Sequence, residues 1–265
     1  MSSTARSFLF VPATRTERVD TALNSDADAV IVDLEDGVGL ADKVSARASL
    51  ESWTSTRPYL LRVNATGTSL HHDDLRAIAS LKYVTGVVLP KAEHADDVRA
   101  VIDQLPPNVE LYALIESASG LLQAPDIARA GVARLMFGSA DYLADLGVVP
   151  SCNVFAFPRS FLVVASAAAG IAPPVDGPTL AFDDPTATET EALDAKALGL
   201  GGKLCIHPKQ LEPVNRVFAP TADEIGWARR VVDSAAQRDG GAFALDGAMI
   251  DVPVLRRARR ILGMP

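Results

Sequence analysis

Asp33, Glu35 and Asp36 fall within four consecutive positions, directly after the β-branched run Val30, Ile31 and Val32. A buried strand does not run into that much negative charge unless something there needs it. Glu116 ends the apolar run ELYALIES in the same way, Asp141 follows LMFGSA, and Arg62 ends PYLLR. No His or Cys cluster accompanies these acids, so a divalent metal here would be hard and oxygen-liganded. Mg2+ or Mn2+, held by one or two carboxylates with water and substrate completing the octahedron, fits that set. Glu116 and Asp141 are the expected ligand pair. The plainer readings are an acid at the positive end of the helix that ESASGL begins, and a cap of the next turn. Arg62 suits a substrate carboxylate or an enolate oxygen. It equally suits an ion pair with the acids of VDLEDGV, and the two roles are compatible. His207, alone before a proline, reads as a turn residue, and His71 and His72 read as solvated at a helix start.

Groups so far apart in the chain need elements that bring them to one rim. Short aliphatic runs alternate with stretches of helical periodicity, the pattern of parallel strands joined by crossover helices. The runs are SFLFVPA, DAVIVDLE, PYLLRVN, TGVVLPKA, ELYALIES, ARLMFGSA, a weak one in APPVDGPT, and GGKLCIHP. Eight such units in 265 residues predict an α/β fold of (β/α)8 TIM-barrel type, with its site at the C-terminal ends of the strands. Nearly every run ends in an ionisable group there: Arg15, Asp33, Arg62, Lys91, Glu116, Asp141, Asp176 and His207. Acids and two arginines on one rim point to an anionic ligand with a metal. The barrel is expected over residues 1–220. Residues 221–265 form a C-terminal extension, with an amphipathic helix, a glycine-punctuated segment and a basic helix. It is expected to pack on a neighbouring subunit or to form a lid.

The net charge of −8 and pI near 5.0 give no field to attract nucleic acid. Cys152 and Cys205 have neither disulfide nor zinc spacing, which fits a reducing cytoplasm. The longest apolar stretch, FLVVASAAAGI, is too short to span a bilayer, and MSSTARS lacks the character of a signal peptide. Without GxxxxGK[ST], GxGxxG after a strand, GxSxG or HExxH, the nucleotide-cradle, Rossmann, serine-hydrolase and zincin readings lack their mechanical parts.

FLFVPATRTER, VIVDLEDGV, LLRVN, VVLPKAE, ALIESASGL, LMFGSADYLADLG, VDGPT, AFDD and GKLCIHPKQ occur in the order found in the citrate lyase β-subunit-like family of the HpcH/HpaI aldolase superfamily, which the chain resembles over almost its whole length. The resemblance implies a Mg2+-binding TIM barrel that reversibly cleaves the C–C bond of a short β-hydroxyacyl thioester of coenzyme A. Malyl-CoA, citramalyl-CoA or citryl-CoA would give acetyl-CoA and a 2-oxo acid. It implies Glu116 and Asp141 as metal ligands, Asp36 near the metal's waters, and Arg62 at the reacting carbonyls. It also implies a homotrimer or hexamer in which Asp251, in the tail's MID motif, reaches a neighbour's site; the plainer reading of Asp251 is a helix N-cap before Pro253. Arg15 and Lys91 become candidate contacts for coenzyme A, with Pro208 and Lys209 similarly placed. Many relatives carry a second acid before the metal-ligand aspartate, where this chain has Ala140, a form shared with malyl-CoA lyase-like proteins. The segment GVVPSCNVFAFPRS is expected to shape acyl selectivity. The competing expectations are an aldolase of free 2-oxo-acid adducts that does not use coenzyme A, and a citrate lyase subunit that works only with an acyl carrier protein.

Overall fold

The structure is a computed structural model that describes residues 4–55, 57–149, 154–238 and 240–264. Residues 150–153 of the expected selectivity segment therefore lie outside the described residues. Two compact units emerge, Met1–Phe218 and Ala219–Pro265.

In the first unit, eight parallel strands close into a barrel in chain order: β1 (Ser7–Pro12), β2 (Ala29–Asp33), β3 (Tyr59–Arg62), β4 (Val84–Leu89), β5 (Glu110–Ile115), β6 (Arg134–Phe137), β7 (Val175–Asp176) and β8 (Gly202–Cys205). Helices α1 (Thr16–Leu23), α2 (Lys43–Ser52), α3 (Ser69–Ile78), α4 (Ala95–Ile102), α5 (Ala118–Arg129), α6 (Ser139–Leu146), α7 (Ala156–Ala169), α8 (Pro185–Leu198) and α9 (Leu211–Phe218) link and follow the strands. The eight expected strands are all present. They read as continuous apolar runs because both faces are buried, with successive side chains alternating between them. Phe8, Ile31, Leu60, Val88, Tyr112, Leu114, Met136 and Leu204 fill the barrel interior. Their chain neighbours Leu9, Val32, Leu61, Val87, Ala113, Leu135 and Cys205 pack against the helices instead.

The shortest strand, β7, pairs only through Met136↔Val175, Val175↔Gly202 and Asp176↔Lys203. Pro173, Pro174 and Pro178 flank it, and prolines donate nothing to a ladder. A buried charge cluster holds this part of the wall. Arg159 on α7 forks onto Asp176 at 2.8 and 2.9 Å, while Lys203 Nζ donates to Asp176 Oδ2 and the Gly177 carbonyl at 2.7 Å each. Glu191 on α8 adds a second negative charge 3.3 Å from Lys203. Helix α6, absent from the sequence expectation, is eight residues long and ends at Gly147, whose φ of +65° lets the chain leave through a left-handed turn.

The second unit is built from α10 (Ala222–Ala236), a hairpin of β9 (Phe243–Leu245) and β10 (Ala248–Ile250), and α11 (Val252–Ile261). Ala228, Val231, Ile250 and Ala258 form its small core. The hairpin replaces what the sequence suggested only as a glycine-punctuated segment; Asp246 and Gly247, both at positive φ, make its turn. No helix among the described residues is long and apolar enough to cross a membrane.

Candidate active site

Asp33 and Arg62 are the last residues of β2 and β3, and they lie opposite each other in register. The guanidinium forks onto the carboxylate, Nε to Oδ1 at 2.7 Å and Nη2 to Oδ2 at 2.6 Å. The same two oxygens accept the backbone N–H groups of Glu35 and Gly37, each at 2.8 Å. A Cβ on Gly37 would come within 2.5 Å of Asp33 Oδ2, so only glycine lets the loop wrap the carboxylate this closely. With four donors on two oxygens, Asp33 is an anchor for Arg62 and the β2–α2 loop. Lys43 tightens that loop, donating to the carbonyls of Leu34 at 2.9 Å and Glu35 at 2.6 Å.

Arg62 Nη1 faces the other two acids, 2.9 Å from Glu35 Oε2 and 3.5 Å from Asp36 Oδ2. The approach to Glu35 has the distance of an ion pair without the direction of a hydrogen bond, so Oε2 remains buried and unbonded. Glu35 Oε1 accepts from Lys91 Nζ at 2.7 Å. Burial raises the Glu35 carboxyl above its ordinary range, and Arg62 and Lys91 only partly offset this. Burial alone would lower Arg62. The hydrogen bond and charge of Asp33, with Glu35 and Asp36 behind it, raise it instead, and the guanidinium stays charged. The Phe10 ring lies beneath, 4.7 Å from the guanidinium carbon.

Across the rim, Glu116 follows β5 and is buried. Its Oε1 accepts the backbone N–H of Lys91 at 2.7 Å. Lys91 takes a φ of +50°, uncommon for a side-chain-bearing residue, and one residue thereby serves two carboxylates: its amide goes to Glu116 and its ammonium to Glu35. Gly138, after β6, makes room for the Glu116 side chain, since a Cβ there would overlap Glu116 Cβ and sit 2.5 Å from Oε2. One turn on, Asp141 stands exposed in the first turn of α6. Burial, then the charges of Glu35 and Asp141, push the Glu116 carboxyl up to about 8.

Two cavities open on this rim. One, of about 340 Å³, is lined by Asp36, Arg62 and Asp141 with an apolar wall of Phe10, Leu114, Pro178, Leu204 and Ile206. The other, of about 460 Å³, is lined by Lys91, Glu93, Glu116, Asp141 and Asp145. Asp141 borders both. A third, of about 490 Å³, opens at the opposite end of the barrel beside Pro58, Tyr59, Asn108 and Glu110. Size does not make that one the site, because the convergent charges and the C-terminal strand ends are at the other mouth.

Arg62, Asp36 and Asp141 are thus brought to one cavity, and Glu116 to its neighbour. Lys91, expected at coenzyme A, gives its ammonium to Glu35 and lines the second cavity, its side chain still 47% exposed. Arg15 is exposed at the N-cap position of α1 and lines neither cavity. Asp251, in the second unit, caps α11, Oδ1 accepting the Val254 N–H at 3.1 Å. His71 is buried rather than solvated, with Nδ1 2.8 Å from the Asn64 carbonyl. Sequence reasoning missed Lys43, Gly37, Gly138 and Asp74. Fully buried Asp74 accepts from Arg47 and from the backbone and side chain of Asn64, which fixes the exit of β3. No spacing signal marks these residues, since each acts through a neighbour distant in the chain or through a missing Cβ.

Among the described residues no three His, Cys, Asp or Glu side chains form a ready-made metal cage. A carboxylate held by one backbone donor and pushed up by burial and by the charges of Glu35 and Asp141 fits a cation that needs few protein ligands and keeps several waters. The residues fit Mg2+.

Residues 6–208 match the family described as HpcH/HpaI aldolase/citrate lyase. The chain belongs to the HpcH/HpaI aldolase/citrate lyase family. It is 38% identical over 265 residues to the citrate lyase subunit beta-like protein of Mycobacterium tuberculosis (strain ATCC 25618 / H37Rv), covering 96% of this chain and 93% of that protein. It is 33% identical over 268 residues to the (3S)-malyl-CoA thioesterase of Cereibacter sphaeroides (strain ATCC 17029 / ATH 2.4.9), covering 97% and 93%. Among solved structures, the fold matches protein CitE from Mycobacterium tuberculosis in complex with magnesium, acetoacetate and coenzyme A, with a TM-score of 0.84, 37% identity and 98% of each chain covered. In this HpcH/HpaI member, both strand-end acids proposed as ligands, Glu116 and Asp141, fall within the matched span, whereas Asp251 lies beyond it.

Proposed function

We propose that this protein is a Mg2+-dependent carbon–carbon lyase that cleaves a short β-hydroxyacyl-CoA to acetyl-CoA and a 2-oxo acid. The observation that carries the reading is Glu116, buried and pushed up to about 8, beside Asp141 at the edge of the cavity that Arg62 and Asp36 line. It is supported by the relatives, one crystallised with magnesium, acetoacetate and coenzyme A and another with oxaloacetate and magnesium.

Glu116 and Asp141 would hold the cation. When bound, Mg2+ supplies Lewis-acid stabilisation of the oxygens of the departing 2-oxo acid. Arg62 has five N–H donors, and Asp33 fixes its plane, so its cavity-facing edge is set to donate to the thioester oxygen as enolate charge develops there. Asp36, 57% exposed along its side chain, accepts hydrogen bonds from water and substrate hydroxyl in the same cavity. As the C–C bond breaks and the carbonyl of the 2-oxo acid forms, the hydroxyl proton passes to Asp36, and a protonated Asp251 of a neighbouring subunit delivers the proton that converts the enolate into the acetyl group. One Asp251 oxygen caps α11, which leaves the second for this role. Arg15 is a contact for coenzyme A. A cytoplasmic homotrimer or hexamer belongs to the same proposal.

Asp33, Glu35, Asp36, Glu116 and Asp141 against Arg62 and Lys91 leave three negative charges, which a divalent ion reduces to one. Such a site favours an acyl group with one free carboxylate, of malyl or citramalyl type, over the citryl type with two. The test is incubation with Mg2+ and each thioester, with assay for glyoxylate, pyruvate and oxaloacetate. The expected result is release of a 2-oxo acid, with oxaloacetate the slowest. Absence of any 2-oxo acid while metal is bound overturns the proposal. Release of free thiol with an intact hydroxy acid would mark thioester hydrolysis, the activity named for the Cereibacter relative.

A further inference from the structure

The charge cluster in the β7 wall reaches the cavity of Arg62 through one glycine. Gly177 directly follows Asp176, which Arg159 and Lys203 hold, and its own carbonyl accepts from Lys203 Nζ at 2.7 Å. On its other side Gly177 packs on Ser139, the first residue of α6. A Cβ at position 177 would come within 2.3 Å of Ser139 Oγ and 2.7 Å of Ser139 Cβ, so only glycine leaves the hydroxyl its place. Three buried charges thus keep the seat of this serine in position.

Ser139 is only 7% exposed and lines the 340 Å³ cavity, yet its hydroxyl has no hydrogen-bond partner among the described residues. The unbonded Oε2 of Glu35 is sealed from solvent, whereas Ser139 Oγ is not, and what it meets is the cavity. Such a hydroxyl is satisfied only by what enters there. The other polar side chains around it cannot take its place. Asp33, Asp36 and Asp141 accept as carboxylates, and Arg62 commits Nε and Nη2 to Asp33. The remaining lining side chains are apolar, so among the described residues lining this cavity Ser139 is the one uncharged side-chain donor. It also stands two residues before Asp141. A carboxylate that gives one oxygen to a cation keeps a second oxygen in need of a donor, and the surrounding acids supply none.

We infer that Ser139 is a specificity-determining residue whose hydroxyl donates to the free carboxylate of the acyl group, and that Gly177 is the positioning residue that seats it. This rests on the thioester reading above. A site with a fixed donor for that carboxylate discriminates against an acyl group that lacks one, because the hydroxyl is then left unpaired in the closed cavity.

The test is equilibrium binding of pyruvate and, separately, of acetyl-CoA to the Mg2+-loaded full chain, with Mg2+ affinity measured on the same proteins. Ser139→Ala should weaken pyruvate binding about tenfold or more, the usual worth of a hydrogen bond to a charged group, and should leave the affinities for acetyl-CoA and Mg2+ at their wild-type values. Gly177→Ala should weaken pyruvate to a similar extent, because its Cβ displaces the hydroxyl, and adding Ser139→Ala to it should cost little more. Unchanged pyruvate affinity in Ser139→Ala overturns the assignment. So does a parallel fall in Mg2+ affinity, which would place the hydroxyl on the metal's water, or a fall in acetyl-CoA affinity instead, which would place it at the thioester. Additive losses in the double variant overturn the seat. Wild type that binds pyruvate but not acetyl-CoA overturns the thioester reading and leaves the role of Ser139 standing, and wild type that binds neither overturns both. Thermal unfolding checks each fold; if Gly177→Ala lowers it, Ser139→Ala, which removes one oxygen that nothing in the chain bonds, decides alone.

Discussion

At the scale of single residues, the site is a set of carboxylates differing in how fully they are satisfied. Asp33 accepts four donors and serves as a structural anchor. Glu116 accepts one and is held above its ordinary range mainly by burial. This has a consequence for the metal-free protein. The folded-state pKa lies above the unfolded one, so the stabilising contribution of this proton is complete below about pH 4.5 and is lost as pH rises through about 8. Over that window the loss is on the order of 5 kcal/mol, at ~1.4 kcal/mol per pH unit. Glu116→Gln cannot ionise, so it should make the metal-free chain more stable than wild type at pH 8.5 and should abolish Mg2+ stabilisation there. Urea unfolding of both proteins at pH 5 and pH 8.5, with and without Mg2+, reads this directly. Parallel pH curves for the two proteins would show that Glu116 is not the titrating group.

At the scale of elements, the strands were legible and their short companions were not. Seven of the eight barrel strands stand out as apolar because helices cover one face and the barrel interior the other, whereas β7, the two residues Val175–Asp176 between prolines, gives only a weak signal. Helix α6 and the β9–β10 hairpin are short, and glycine turns define their ends better than any periodicity. The pairing of Glu35 with Arg62 and Lys91 could be foreseen from strand alternation. The network of buried Arg159, Asp176 and Lys203 with half-exposed Glu191 could not, because it joins residues on α7, β7, β8 and α8. That network makes a two-residue strand part of the wall. Asp176→Asn strips two buried cations of their shared carboxylate and should destabilise the barrel by about 3–5 kcal/mol in denaturant titration. A change under 1 kcal/mol would mean that Glu191 and the Gly177 carbonyl suffice.

At the scale of the whole molecule, the family match ends at residue 208, and the residue proposed to donate a proton lies beyond it. Asp251→Asn should therefore keep Mg2+ binding while turnover falls by at least a hundredfold, the range of general-acid contributions. Glu116→Gln should lose the metal. If Asp251 serves a neighbour's site, mixing the two inactive variants after dissociation and reassembly should restore part of the activity, because some sites then combine an intact Glu116 with an intact Asp251. Loss of metal in both variants, or no recovery in hybrids shown to have formed, would remove Asp251 from its role in trans.

The most direct measurement of the central claim is 2-oxo acid release from a malyl- or citramalyl-type thioester while Mg2+ is titrated into metal-free wild type and Glu116→Gln. Saturable release in wild type, with acetyl-CoA formed in equal amount and nothing from Glu116→Gln, is the predicted result. Release that is independent of metal, or equal in the two proteins, would contradict it.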